Sequence, residues 1–188
     1  MPYGYYASAK LLRAGDDLAE ISRPIGNTVE EQMKKVLVTY HSLSGNTAEM
    51  ARMIADGLVE KGLDVILKRV EEVEIDSLPG YDGFVIGSPN YFGTMAWPVK
   101  KFVDESVKYF KKLDGKAAAA FTSEGMIGGG GDTVVLDILK AFLIHGCVVQ
   151  GLTSAGHYGP VAVGKPDERI AREVGFLVEK FAALVTKL

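Results

Sequence analysis

Val36-Leu37-Val38-Thr39-Tyr40-His41-Ser42-Leu43-Ser44-Gly45-Asn46-Thr47-Ala48-Glu49-Met50-Ala51 is the stretch whose reading decides the fold. It opens as an apolar, β-branched run of strand length, breaks at a small polar cluster, and resumes with Met50, Ala51, Ile54 and Leu58 at helical spacing. The pattern is strand, tight loop, helix. Small polar residues at a helix start direct several backbone N–H groups and hydroxyls into one small volume, where the helix dipole adds partial positive charge. Such a place favours an anion, most simply a phosphate. An ordinary capped helix, with Ser44, Asn46 or Thr47 satisfying the first N–H groups, explains the same residues. The loop does not fit G-x-x-x-x-G-K-[ST], because no lysine follows Gly45, and no G-x-G-x-x-G occurs in the chain. A P-loop ATPase and an ordinary dinucleotide-binding fold both lose weight.

Downstream the alternation is regular. Strand one covers about 35–40 and its helix about 46–61, ending at a basic last turn and glycine, Lys61-Gly62. Strand two, Asp64 to Val70, leads into Glu71-Glu72-Val73-Glu74, which reads as a solvated acidic face. Strand three is Gly83 to Gly87, with a helix at about 95–111; strand four is Ala117 to Phe121, with a glycine-rich loop and a helix at about 132–145. Strand five is Val148 to Leu152, and the last helix runs from about Asp167 to Leu188. Continuous apolar strands alternating with helices indicate a parallel sheet covered on both faces. The expected architecture is a three-layer α/β sandwich.

Upstream, residues 1–32 hold a weak helical stretch around Ala9 to Ala14 and turn chemistry at Ser22-Arg23-Pro24-Ile25-Gly26-Asn27. Met33-Lys34-Lys35-Val36 reads as a natural start running straight into strand one, so residues 1–32 are expected to form an arm outside the 33–188 domain.

Composition sets bounds on the rest. The 188 residues, 47% hydrophobic, suffice for one domain with a real core and are short for two. A net charge of -3 without basic clustering argues against nucleic-acid binding. No apolar run approaches the length that crosses a bilayer, and the N-terminus has no continuous signal-peptide core, so a cytoplasmic protein is expected. The single cysteine, Cys147, excludes an internal disulfide framework and a multi-cysteine metal site. Its apolar setting reads as a buried structural thiol.

In a parallel sheet of this kind a ligand sits outside the carboxyl ends of the strands, so the loops after strands one, three, four and five belong together. They contain Ser88-Pro89-Asn90-Tyr91-Phe92-Gly93-Thr94-Met95-Ala96-Trp97-Pro98, Thr122-Ser123-Glu124-Gly125-Met126-Ile127-Gly128-Gly129-Gly130-Gly131-Asp132 and Thr153-Ser154-Ala155-Gly156-His157-Tyr158-Gly159-Pro160. Aromatics beside glycines suit a flat ring lying against exposed backbone. Four consecutive glycines weaken a fold unless backbone must come close to something. A phosphate site with a ring site beside it describes a mononucleotide with an aromatic head.

These residues carry a resemblance. From about Lys34 to Leu188 the chain resembles the flavodoxin superfamily, and it is similar to the WrbA-like branch of FMN-dependent NAD(P)H:quinone oxidoreductases. The matching pieces are Tyr40 to Thr47, Gly87-Ser88-Pro89-Asn90-Tyr91-Phe92-Gly93, Phe121-Thr122-Ser123-Glu124-Gly125 with the glycines after it, His145-Gly146 and Tyr158-Gly159. The resemblance implies a five-stranded parallel sheet in order 2-1-3-4-5 and FMN as cofactor. It further implies that Ser42, Leu43, Ser44, Gly45, Asn46 and Thr47 hold the phosphate, and that Pro89, Asn90, Tyr91, Phe92 and Gly93 lie at the isoalloxazine. Ser123, Glu124, Gly125, Met126, Ile127 and Gly128 would close the pocket. No lysine or arginine lies in the phosphate loop, so neutralisation falls to the helix terminus and hydrogen bonds.

Departures from the branch bear on activity. Where those reductases commonly carry a histidine pair before the glycine matching Gly146, this chain has Ile144-His145, and it lacks the branch's long insertions. His145 and His157 are candidate polar groups at the flavin edge, each with a structural histidine as the competing reading. Trp97 reads either as a cover on the flavin or substrate face or, slightly favoured, as packing on the next loop, Glu124 either as a charge that alters the flavin potential or as a solvated loop residue, and Asp132 as the cap of the following helix. The expected function is electron transfer from NAD(P)H to a quinone-type acceptor through FMN, with a single-electron carrier docking on redox proteins as the alternative. Neither nucleic acid nor membrane is an expected partner, and a homo-oligomer is left open.

Overall fold

A computed structural model describes residues 33–188. The expectations for the arm, residues 1–32, lie outside the described residues. The strands are β1 (Lys35–Tyr40), β2 (Asp64–Arg69), β3 (Gly83–Tyr91), β4 (Thr94–Met95), β5 (Ala117–Glu124), β6 (Val148–Val149) and β7 (Val161–Val163). The helices are α1 (Asn46–Glu60), α2 (Trp97–Glu105), α3 (Gly131–Ile144) and α4 (Glu168–Lys187). The sheet order is β2-β1-β3-β5-β6, which is the expected 2-1-3-4-5 once the two-residue β4, an antiparallel hairpin arm on β3, is set aside. All the other pairings are parallel.

Why these strands lack a polar face follows from the layers on either side. Val36 and Val38 of β1, Val85 of β3 and Ala117, Ala119 and Phe121 of β5 pack with α1 and α4 residues such as Ile54, Leu58, Val178 and Phe181. Their neighbours Leu37, Phe84, Ile86, Ala118 and Ala120 point the other way, onto Val99 and Phe102 of α2 and Val134, Ile138 and Phe142 of α3. Successive residues alternate faces, and both faces are covered by helices. Cys147 belongs to the second core layer, where burial pushes its thiol up to about 12.

Four boundaries differ from the sequence reading. Strands three and four run on to Tyr91 and Glu124, carrying regular backbone into the segments read as loops. The second helix stops at Glu105 and tightens into a 3₁₀ turn over Ser106–Tyr109, where the Ser106 hydroxyl donates back to the Val103 carbonyl at 2.6 Å. Strand five is divided: β6 pairs with the start of β5 and β7 with its end, while residues 150–160 leave the ladder. That detour closes on itself through Leu152 N–H to the His157 carbonyl (2.9 Å) and the His157 ring to the Leu152 carbonyl (2.9 Å).

Gly87 faces Phe121 across the β3–β5 ladder, and a Cβ there would lie 2.2 Å from the ring. Gly87→Ala is therefore expected to cost about 1–3 kcal/mol through overpacking. Urea unfolding of the purified variant measures it.

Candidate functional site

Three loops leave the carboxyl edge of the sheet side by side because β1, β3 and β5 are parallel neighbours. The first begins where the His41 N–H continues the ladder to the Gly87 carbonyl at 3.1 Å. The Ser42 hydroxyl accepts from the Gly45 N–H at 3.1 Å and curls the loop. Gly45, at φ 95, then turns the chain into α1. Among the described residues no side chain caps α1, so the leading N–H groups at Asn46, Thr47 and Ala48 face the loop without a side-chain acceptor. Helix α4, by contrast, is capped by Asp167, which accepts from the Ile170 N–H at 3.0 Å.

Hydroxyls and amides tie the loops together. Thr47 and Ser123, both buried, join the first loop to the end of β5 through Oγ1 and Oγ at 2.8 Å. The Asn90 amide donates to the Gly129 carbonyl (2.7 Å) and to Glu124 Oε2 (3.2 Å), while its oxygen accepts from the Gly93 N–H (2.9 Å). Glu124 Oε2 also accepts the Gly131 N–H at 2.8 Å. Glu124 is thus neither a free loop charge nor fully solvated; it holds the start of α3. The cap expected of Asp132 is corrected accordingly: Gly130, at φ 99, is the N-cap, Glu124 supplies the side-chain acceptor, and Asp132 sits exposed in the first turn.

At the tip of the β3–β4 hairpin, Phe92 takes φ 55 and is wholly exposed, an uncommon conformation for a large residue and one that concentrates at functional positions. Leu43, Met126 and Ile127 are exposed as well. Trp97 is 71% exposed with the Lys101 ammonium 5.9 Å from its ring centroid, so the packing expected of it does not occur. A cavity of about 570 Å³ adjoins the glycine-rich loop, lined by Glu124, Ile127, Gly130, Asp132, Val161 and Arg169 among others.

Of the two candidate histidines, His145 lies away from these loops. His145 follows α3 at the opposite edge of the sheet, beside the starts of β5 and β6, where the Gly115 N–H reaches the Gly146 carbonyl at 3.0 Å. Its Nε2 donates to Ser106 Oγ at 2.8 Å, because that hydroxyl's single proton is already given to Val103. Buried Nδ1 has no partner among the described residues, and desolvation holds the imidazole below its ordinary pKa. His157 is exposed, in the detour between β6 and β7.

A cluster the sequence did not reveal stands behind the first loop. Arg69, the last residue of β2 and the register partner of Tyr40, donates from Nη1 and Nη2 to the Ser42 carbonyl, each at 3.2 Å. Glu71 Oε1 lies 2.5 Å from His41 Nδ1 and 3.5 Å from Arg69 Nη2. Desolvation pushes the Glu71 carboxyl up, but its own backbone N–H, His41 and Arg69 outweigh this and leave it lowered. The parallel β1–β2 register was the one signal that could have found the cluster.

A family model described as flavodoxin matches residues 38–130. An NAD(P)H dehydrogenase (quinone) of Archaeoglobus fulgidus is 31% identical, the match covering 83% of this chain and 100% of the relative. A flavodoxin of Aquifex aeolicus is 34% identical over 81% of this chain and 89% of its own. The chain belongs to the flavodoxin family. A flavodoxin, WrbA-like protein from Agrobacterium tumefaciens has the same fold, with a TM-score of 0.70 at 23% identity over 82% of this chain and 98% of that one. FMN is the cofactor of this flavodoxin-family chain. The site suits it: an uncapped helix start with serine and threonine hydroxyls fits a phosphate ester, and glycine-lined loops with exposed aromatics fit a planar ring.

His145 makes a prediction about stability. Its folded pKa is depressed, so the stabilisation of the neutral form is present above the unfolded value of about 6.5 and is lost as pH falls through and below it. Denaturant midpoints should drop from pH 7 to pH 5, and His145→Gln should flatten that drop.

Proposed function

We propose that this chain is an FMN-dependent oxidoreductase that takes electrons from NAD(P)H and passes them to a quinone-type or similar small acceptor. Ser42, Leu43, Ser44, Gly45, Asn46 and Thr47 bind the phosphate, through hydroxyls and through N–H groups at the start of α1. Pro89, Asn90, Tyr91, Phe92 and Gly93 position the ring, and Ser123, Glu124, Gly125, Met126, Ile127 and Gly128 close over it. When bound, the flavin supplies the ability to accept and release electrons; the chain supplies binding, orientation and electrostatics. Asn90 spans the second and third loops, so the walls of the ring site are held in register with each other. His145, at the far edge of the sheet, takes no part.

The observation that carries this reading is the start of α1, where among the described residues no side chain caps the leading N–H groups and the Ser42 and Thr47 hydroxyls stand beside them. The full-length match to a relative named NAD(P)H dehydrogenase (quinone) supports it. A second reading, a single-electron carrier for protein partners in the cytoplasm, is favoured by the exposed apolar rim of Leu43, Phe92, Trp97, Met126 and Ile127, and by the match to a relative named flavodoxin.

Two experiments test these assignments. The double variant Ser42→Ala, Thr47→Ala should weaken FMN binding by about 1–3 kcal/mol, measured by fluorescence titration. With NADH or NADPH added anaerobically to the FMN-loaded protein, rapid bleaching of the visible flavin band supports the oxidoreductase. A band that persists until dithionite is added, and then falls in two separated one-electron steps, supports the carrier.

A further inference from the structure

The first loop has no lysine or arginine of its own, yet a cation is bound to it from outside. Arg69 places both terminal nitrogens on the Ser42 carbonyl. In a trans peptide the carbonyl and the following N–H point in opposite directions, so anchoring this carbonyl turns the Leu43 N–H away from Arg69. The guanidinium also lies over the Tyr40 ring, 5.9 Å from its centroid, which fixes its plane against the end of β1. Glu71 answers only part of its charge: Glu71 Oε1 is closest to His41 Nδ1 at 2.5 Å, and Arg69 Nη2 stands off at 3.5 Å.

We propose that Arg69 is a positioning and charge-supplying residue for the FMN phosphate, acting through the Ser42 carbonyl, and that Glu71 limits how much of its charge the loop feels. The proposal rests on the assignment of Ser42–Thr47 to the phosphate. Arg69 fixes the loop's donors before the anion arrives and offsets the anion's charge from behind the backbone. Glu71 opposes that offset, and His41 holds Glu71 in place. Both effects of Arg69 act on the phosphate and separate from ring binding, because riboflavin carries the same ring without the phosphate.

The test titrates the flavin-free full chain with FMN and with riboflavin at low and high salt. Arg69→Met is expected to weaken FMN about tenfold at low salt, less at about 1 M salt, and to leave riboflavin within about twofold. Arg69→Lys restores part of the loss, since it keeps the charge without the paired hydrogen bonds. Glu71→Gln tightens FMN a few-fold and leaves riboflavin unchanged. Equal losses for both flavins in Arg69→Met, no loss for either, or weaker FMN binding in Glu71→Gln would each overturn the proposal. The Ser42→Ala, Thr47→Ala variant separates it from the reading beneath: if that variant loses FMN but not riboflavin, the phosphate assignment stands whatever Arg69 does. If it treats both flavins alike, the phosphate assignment is the one that fails.

Discussion

Val36, Leu37 and Val38 are completely shielded from solvent, with neighbouring side chains pointing to opposite faces of the sheet. Burying both faces of β1 requires helices above and below. It also commits the connections to parallel crossovers, each returning the chain to the same edge. The three central strands therefore release their loops together at their carboxyl ends, the one boundary of the sheet where backbone N–H groups and side chains converge. Everything chemical in the molecule depends on that shielding.

At this edge the loops are joined by polar contacts that an apolar core could not supply. Thr47 with Ser123 links the first crossover to the third, and Asn90 links the second to the third. Glu124 takes the role that a local cap would ordinarily have at α3 and, by accepting from Asn90 as well, couples the helix start to the β3–β4 hairpin. One carboxylate thereby serves two loops. Its separation from Gly131 by only seven residues lets the intervening glycines form a short closed arch.

The order of strands and helices was readable from hydrophobic runs and turn residues, because a sheet buried on both faces leaves no polar alternation to confuse the pattern. Readings failed where a residue's partner is remote in sequence. His145 was open between a structural histidine and a group at the flavin edge, and fourteen residues of α3 span about 21 Å and carry the chain to the far edge. Asp132 looked like a cap because capping is usually local, whereas Glu124 reaches the helix from the preceding strand. Trp97 reads as a packing residue by type and place, but its ring lies beside Lys101 in solvent. Arg69 sits in a strand with no motif, and only its pairing opposite Tyr40 brings it to Ser42.

The start of α1 has a consequence for the life of the protein. Under the proposed phosphate assignment, a helix whose first N–H groups lack a side-chain acceptor among the described residues is completed by the anion, so binding the cofactor adds to the stability of the folded chain by mass action. Newly made chains without flavin are the fraction most open to unfolding and proteolysis. Cellular abundance is then set partly by flavin supply, with synthesis of the cofactor acting as quality control on the protein that uses it.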